Sequence, residues 1–365
     1  MDQEESRIIF WEKNLIAESE LVEKRMKNKF FKIKNRFVGD KKKVFIVAEI
    51  GINHDGNLKK CLKIINQAAK AGADSVKIQT NEVDESYMQN TESYKTFKNK
   101  NFSNSELLKL KKYSEKLGVI FFSTPGDIKS LNRLIKIKVP AIKISSGLAT
   151  NLPLIGESLK KKIPTIISTG FSTKKDLNDL KKFISKFNFK KVAILKCTAN
   201  YPANPGDLDL NSIDFLKKKF NLPIGYSDHS LGDLAPVIAV SCGAVIIEKH
   251  FTLNKSQKGA DHKISLEPKE FELMVKKIRT TERMLGHNTL KIRSEMKKKR
   301  KNFLRYLTVK KEIKKGDRFS YDNIGFMRHN KGKLGLEPAY FFDLKNKKSN
   351  VNMKKGQIFK KKILQ

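Results

Sequence analysis

Two pairs of residues in this chain have types and spacing suited to chemistry. His229 closes the run GYSDH and His250 closes VIIEKH, and these two apolar runs follow each other in the chain. Two neutral imidazoles facing one point, with oxygen donors nearby, suit a divalent cation such as Mn²⁺ or Zn²⁺ acting as a Lewis acid. A lone histidine pair serves as readily in acid–base or structural work. The second pair is Lys77, inside SVKIQ, and Lys143, inside AIKIS, where an ammonium cannot easily reach solvent. With Thr124, Ser146, Ser168 and Ser227 at the ends of neighbouring runs, they form a donor-rich basin fit for a phosphate and a carboxylate.

Eight short β-branched runs position these residues: 44–50, 75–79, 119–123, 140–145, 164–168, 192–197, 222–227 and 244–250. Stretches of helical period lie between them, such as 58–72, 105–118, 173–187 and 232–243, with 268–285 after the eighth run. Apolar strands alternating with helices predict βα units and a parallel sheet buried on both faces. Eight units in about 240 residues fit a closed (β/α)8 TIM barrel better than an open sheet. Such barrels carry their sites at the C-terminal ends of the strands, and every one of these runs ends in polar residues. The first run leads into GINHDGN, so the dinucleotide-binding GxGxxG is absent there.

The division expected is an N-terminal extension (1–30), the barrel (31–286), a basic linker (287–303) and a small, mostly β domain (304–365). In that last part IKKGD (313–317) and its echo MKKGQ (353–357) predict twin tight turns. The 365 residues include 76 Lys plus Arg against 38 Asp plus Glu, a formal charge of +38. Lysine outnumbers arginine and is spread over most helices, with no nucleic-acid-binding signature, so solvated faces explain the charge better than a nucleic-acid partner. A basic nucleic-acid-binding protein is kept as the remote alternative. No run approaches the ~18–20 apolar residues of a membrane span. Three scattered cysteines and an acidic start, MDQEESR, point to a cytoplasmic protein without a disulfide framework.

The strings VFIVAEIGINHDGN, AGADSVKIQT, FFSTPGD, AIKISSG, IISTGFS, GYSDHSLG and IEKHFTLNKSQKGADHKISLEP resemble the N-acetylneuraminate (sialic acid) synthase family over roughly residues 31–365. The resemblance implies a barrel followed by a C-terminal SAF (antifreeze-like) domain. It also implies condensation of phosphoenolpyruvate with an N-acylated mannosamine-type sugar, giving a nine-carbon 2-keto acid and phosphate. Carried over by position, it places phosphoenolpyruvate on Lys77, Thr124, Lys143, Ser146, Ser168 and Ser227, and a metal on His229 and His250. Mn²⁺ is the first expectation, with Mg²⁺ or Co²⁺ after it. Gln79, Tyr201 and Asp261 would contact the sugar, and Arg328 would reach its N-acyl group from the tail of a domain-swapped homodimer. Glu49 is a candidate for positioning water or for acid–base work.

Three departures bear on the acceptor rather than on the reaction. Leu148 stands where many members of the family carry a carboxylate, Ala199 where Asn or Ser is common, and Arg328-His329-Asn330 replaces Arg-Pro-Gly. An apolar side chain cannot bond a hydroxyl, so a legionaminate- or pseudaminate-type synthase using a 2,4-diacetamido-trideoxy hexose is the alternative.

Overall fold

The structure is a computed structural model and describes residues 29–259, 261–286, 291–329 and 335–361; the expected N-terminal extension therefore lies outside the described residues up to residue 28. It begins with β1 (Phe30–Ile33) and β2 (Arg36–Gly39), an antiparallel hairpin. Eight parallel strands follow, one at each β-branched run. They are β3 (Phe45–Gly51), β4 (Ser75–Thr80), β5 (Ile120–Pro125), β6 (Ile142–Ile144), β7 (Thr165–Ser168), β8 (Val192–Cys197), β9 (Ile224–Asp228) and β10 (Ile246–His250). They close in chain order, with β10 against β3 from Ile246↔Phe45 to His250↔Glu49. The (β/α)8 barrel expected from the sequence is present.

Strand alternation sorts each run between two environments. Ile46, Ala48 and Ile50 of β3 face outward into the large core under the helices, whereas Phe45 and Val47 face the lumen. The helices are cut to match. Leu58–Lys70 buries Cys61, Ile64, Ile65 and Ala68, at helical spacing, and the Asn57 side chain caps it by accepting from the Lys60 N–H.

The hairpin was not expected from periodicity. Its strands have four residues each, too few for an alternation to register against the loops around them. Phe31, Ile33 and Val38 are buried with Phe45, Val47, Ile120, Phe122, Ile166, Leu195 and Ile246 in one apolar cluster. The hairpin thus packs against the lower part of the lumen, each fully buried large side chain contributing ~1.5–3 kcal/mol. Gly39 closes it with φ +139°, where a side chain would collide with the Lys29 carbonyl. With the lower lumen filled, the polar residues at the strand ends line the opposite mouth.

The chain divides into two compact units, 1–286 and 287–365. In the second, β11 (Tyr306–Val309) pairs antiparallel with β12 (Ile324–Met327) over a core that includes Leu307, Phe319, Phe341, Met353 and Phe359. The twin turns are present and equivalent. Ile313 bridges Met353, Lys314 N donates to Asp317 Oδ2 (2.8 Å), and Lys354 N donates to Gln357 Oε1 (3.1 Å). One expectation changes: the stretch read as a linker contains a helix, Ser294–Phe303, grouped with this second unit. Its run of Lys and Arg was read as solvated linker, but these residues are good helix formers and Glu295 sits favourably in the first turn. Among the described residues no helix is long and apolar enough to cross a membrane.

Candidate active site

At the mouth the lumen turns from apolar to polar. Lys77 forms an ion pair with Glu49 and donates to Thr124 Oγ1 at 3.1 Å, and its Nζ lies 3.9 Å from Glu248 Oε1. Lys143 Nζ donates to Ser168 Oγ at 2.7 Å and stands 3.5 Å from the same Glu248 oxygen, which also accepts from Ser227 Oγ at 3.1 Å. Six strands, β3 to β7 and β9, thus bring Glu49, Lys77, Thr124, Lys143, Ser168 and Ser227 together, and β10 adds Glu248. All of these are buried.

Burying four charged groups is expensive, and such a network is poor evidence of stability. Burial raises the Glu49 carboxyl above the usual range, Lys77 only partly offsetting it and Glu248 adding to it. Burial would raise Glu248 as well, but Lys143 and Lys77 outweigh it and hold that carboxyl low. Lys143 is lowered by burial, partly offset by Glu248. Two carboxyl groups displaced in opposite directions resemble the split between proton donor and proton acceptor seen in many active sites.

His229 and His250 stand at the mouth, ring centroids 5.4 Å apart. His229 Nδ1–H donates to the Thr198 carbonyl at 2.8 Å, which leaves Nε2 with a free lone pair. His250 Nδ1 is buried without a hydrogen-bond partner and lies 3.6 Å from Asp261 Oδ2. Burial pushes His229 down to about 4, helped by His250, and His250 down to about 3, helped by Lys77. Neutral imidazoles with free nitrogens are what a divalent cation requires, so the pair fits the expected metal. Among the described residues no group of three or more His, Cys, Asp or Glu is arranged to hold a metal. The protein would therefore supply two ligands and leave the other positions to substrate and water.

Tyr201 stacks on His229 (centroids 4.1 Å apart) and meets His250 in a T-shaped contact, yet stays 52% exposed. Asp261 approaches through Gly51. A Cβ built there would lie 2.8 Å from Asp261 Oδ2 and 3.2 Å from Glu49 Oε1, and Gly51 has φ +54°. Ser146 belongs to a different corner. Its Oγ accepts from the Gly170 N–H at 3.0 Å, beside Ala199 and Cys197. Gln79 follows Lys77 by two residues on β4, on the same face, and is half-buried. Leu148 is half-buried and packs against the core outside the barrel. Arg328 lies in the second unit, exposed, with its guanidinium 5.0 Å over the Phe303 ring.

Two residues of the mouth had been given no role. Glu248 has just been described. Cys197 faces the lumen with its Sγ 3.7 Å from His229 Nδ1, and burial pushes its thiol up. Conversely, Asp228 and Lys249, polar residues at the ends of β9 and β10, face outward. Lys249 pairs with Asp228 Oδ2 at 2.6 Å, and Asp228 Oδ1 accepts from Tyr226 and Ser230. His54 and His262 are also buried side structure, one against Phe102 and the other on the Thr252 hydroxyl.

A closed barrel whose mouth carries two buried ammonium groups, two buried carboxyl groups, a set of hydroxyls and two neutral imidazoles is an arrangement suited to acid–base chemistry on a small polar molecule. Comparison with known proteins gives the particular family. Residues 64–290 match the NeuB family. The chain is 36% identical over 333 residues to the pseudaminic acid synthase of Campylobacter jejuni, which covers 87% of this chain and 96% of that protein. It is 34% identical over 330 residues to the N,N'-diacetyllegionaminic acid synthase of Legionella pneumophila, with coverage of 86% and 92%. Among solved structures, the N-acetylneuraminic acid (sialic acid) synthetase of Leptospira borgpetersenii, in complex with citrate, superposes with a TM-score of 0.72 at 34% identity, covering 74% of this chain and 95% of that one. The chain belongs to the NeuB family of sialic-acid-type synthases.

Proposed function

We propose that this chain condenses phosphoenolpyruvate with an N-acylated amino sugar in its open-chain aldehyde form, and with water, to give a nine-carbon 2-keto acid and phosphate. The observation that carries this reading is the pair of buried lysines. Lys77 and Lys143 share Glu248 and sit among Thr124, Ser168 and Ser227, so two ammonium groups and several hydroxyls converge on a space suited to one molecule with two anionic ends. Ser146, held in its own corner by the Gly170 N–H, adds a further hydroxyl on the Cys197 side of that space. Phosphoenolpyruvate is such a molecule.

His229 and His250 would hold a divalent metal, Mn²⁺ first, which when bound polarises the aldehyde oxygen. The chain's own groups then orient the partners. The lysines hold the enol, Tyr201, Asp261 and Gln79 contact the sugar, and the buried mouth keeps bulk water from the cationic carbon. Arg328 acts on the N-acyl group of sugar bound by the partner subunit in a homodimer. The acceptor we favour is a 2,4-diacetamido-trideoxy hexose, a choice supported by the similarity to pseudaminic and N,N'-diacetyllegionaminic acid synthases rather than by Leu148, which packs against the core outside the barrel.

The test is phosphate release from phosphoenolpyruvate across a panel of aldoses, with mass detection of the product. Phosphate release with a diacetamido-trideoxy sugar and a product heavier than it by the pyruvate unit is expected. Preferential use of N-acetylmannosamine would overturn the choice of acceptor, and phosphate release with none of the sugars would overturn the reaction.

A further inference from the structure

Glu248 poses a problem for a basin that binds an anion. Its Oε1 stands between the two ammonium groups, 3.5 Å from Lys143 Nζ and 3.9 Å from Lys77 Nζ. A carboxylate in that place repels any anionic ligand and lowers its affinity. Its other oxygen, Oε2, is buried with no hydrogen-bond partner, as is Glu49 Oε1, so what sets Glu248 apart is its place between the two lysines. A buried acceptor without a donor in a native site calls for an explanation, and a donor that arrives with the substrates is one.

The position of Glu248 says which donor. If the two lysines hold the phosphate and carboxylate of phosphoenolpyruvate, the carbon that carries both groups, C2, lies between them, as Glu248 does. Phosphate and carboxylate offer no proton to Oε2, and the enol carbons offer none. The sugar's hydroxyls belong with Tyr201, Asp261 and the imidazoles, the side toward which Glu49 also turns. A Cβ on Gly51 would lie 3.2 Å from Glu49 Oε1 and 3.7 Å from His250 Cε1. Water is the donor left for Oε2.

We infer that Glu248, and not Glu49, positions the water that adds to C2 and accepts its proton. The inference rests on the phosphoenolpyruvate reading above. In the step, the C2=C3 π pair forms the bond to the aldehyde carbon, whose oxygen takes a proton from Glu49. The water oxygen bonds to C2, and the proton it loses passes to Glu248. The C2 hydroxyl then re-forms a carbonyl as the C2–O bond to phosphate breaks, and its proton leaves with phosphate. One proton is given and one taken, so a single exchange through solvent resets the two carboxyl groups.

The experiment compares Glu248→Gln and Glu248→Asp with the wild type as full-length, metal-supplemented protein. Steady-state kinetics are measured together with calorimetric binding of phosphoenolpyruvate in the absence of sugar. The glutamine variant is expected to bind phosphoenolpyruvate as tightly as the wild type or more tightly, while kcat falls a hundredfold or more. The aspartate variant should keep an intermediate kcat. Retained binding also reports a folded basin. Weakened binding in both variants with kcat preserved would reduce Glu248 to a tether for the lysines and overturn the inference, as would unchanged kcat and unchanged binding. Failure of the wild type to bind phosphoenolpyruvate at all would instead overturn the reading of the basin.

Discussion

His229→Ala and His250→Ala are each expected to abolish turnover while leaving the thermal unfolding midpoint of the metal-free protein within a few degrees of wild type. Neither imidazole ties the barrel together. His250 Nδ1 has no partner to lose, and His229 gives up one hydrogen bond to Thr198 and its stacking on Tyr201. Their value lies in presenting free lone pairs. Exhaustive chelation should silence the wild type in the same way, and Mn²⁺ should restore it. The pH dependence has a definite sign. Burial disfavours the imidazolium, so both groups stay neutral well below the ordinary histidine value near 6.5. Protons therefore do not compete for these nitrogens until the medium is far more acidic, and metal affinity should change little between pH 7.5 and 5.5. For two ordinary histidines it would drop steeply. Full activity after chelation, verified by metal analysis, would remove the histidines from the chemistry.

Lys77→Met and Lys143→Met should raise the Michaelis constant for phosphoenolpyruvate far more than that for the sugar. Losing a charge-assisted bond costs about 1.5–3 kcal/mol, roughly ten- to a hundredfold in affinity. Methionine retains most of the stem's bulk, so the lumen is not emptied. The two variants should differ in stability. Removing Lys77 takes away the ion partner of Glu49, a carboxyl already raised by burial, which can take up a proton and become neutral. Removing Lys143 leaves Glu248 with only the more distant Lys77 and should destabilise the fold more. Variants that altered only sugar affinity would mean that the basin binds the other substrate.

The strands were legible because a parallel barrel buries both faces of each one, so eight apolar runs stood out against lysine-rich helices. The cluster of polar side chains at the mouth was legible for the same reason. A lysine inside SVKIQ or AIKIS contradicts its surroundings unless it has work to do. What escaped depends on features that composition does not carry. The Phe30–Gly39 hairpin is too short to show a period, and its contacts are with strands far along the chain. A run of lysines reads alike as a linker or as the helix Ser294–Phe303, because the same residues favour both. In IIEKH, strict alternation puts Glu248 and His250 on one face and Lys249 on the other. A polar residue at a strand end therefore converges on the mouth only if its parity is right, and Asp228 and Lys249 pair with each other on the outer face. Glu248 was seen but left without a role, because its meaning depends on the distances to two lysines on other strands.

In the proposed reaction the bond between C2 and the bridging oxygen, and not the P–O bond, breaks as the adduct formed with the aldehyde and water collapses. Phosphoenolpyruvate labelled with ¹⁸O in the bridging position, turned over with the preferred sugar, tests it most directly by mass spectrometry of both products. The account predicts that the label leaves entirely in inorganic phosphate, because water supplies the new oxygen at C2. Label retained in the keto acid would mean that the P–O bond breaks instead, a phosphoryl transfer, and would contradict the assignment of this site.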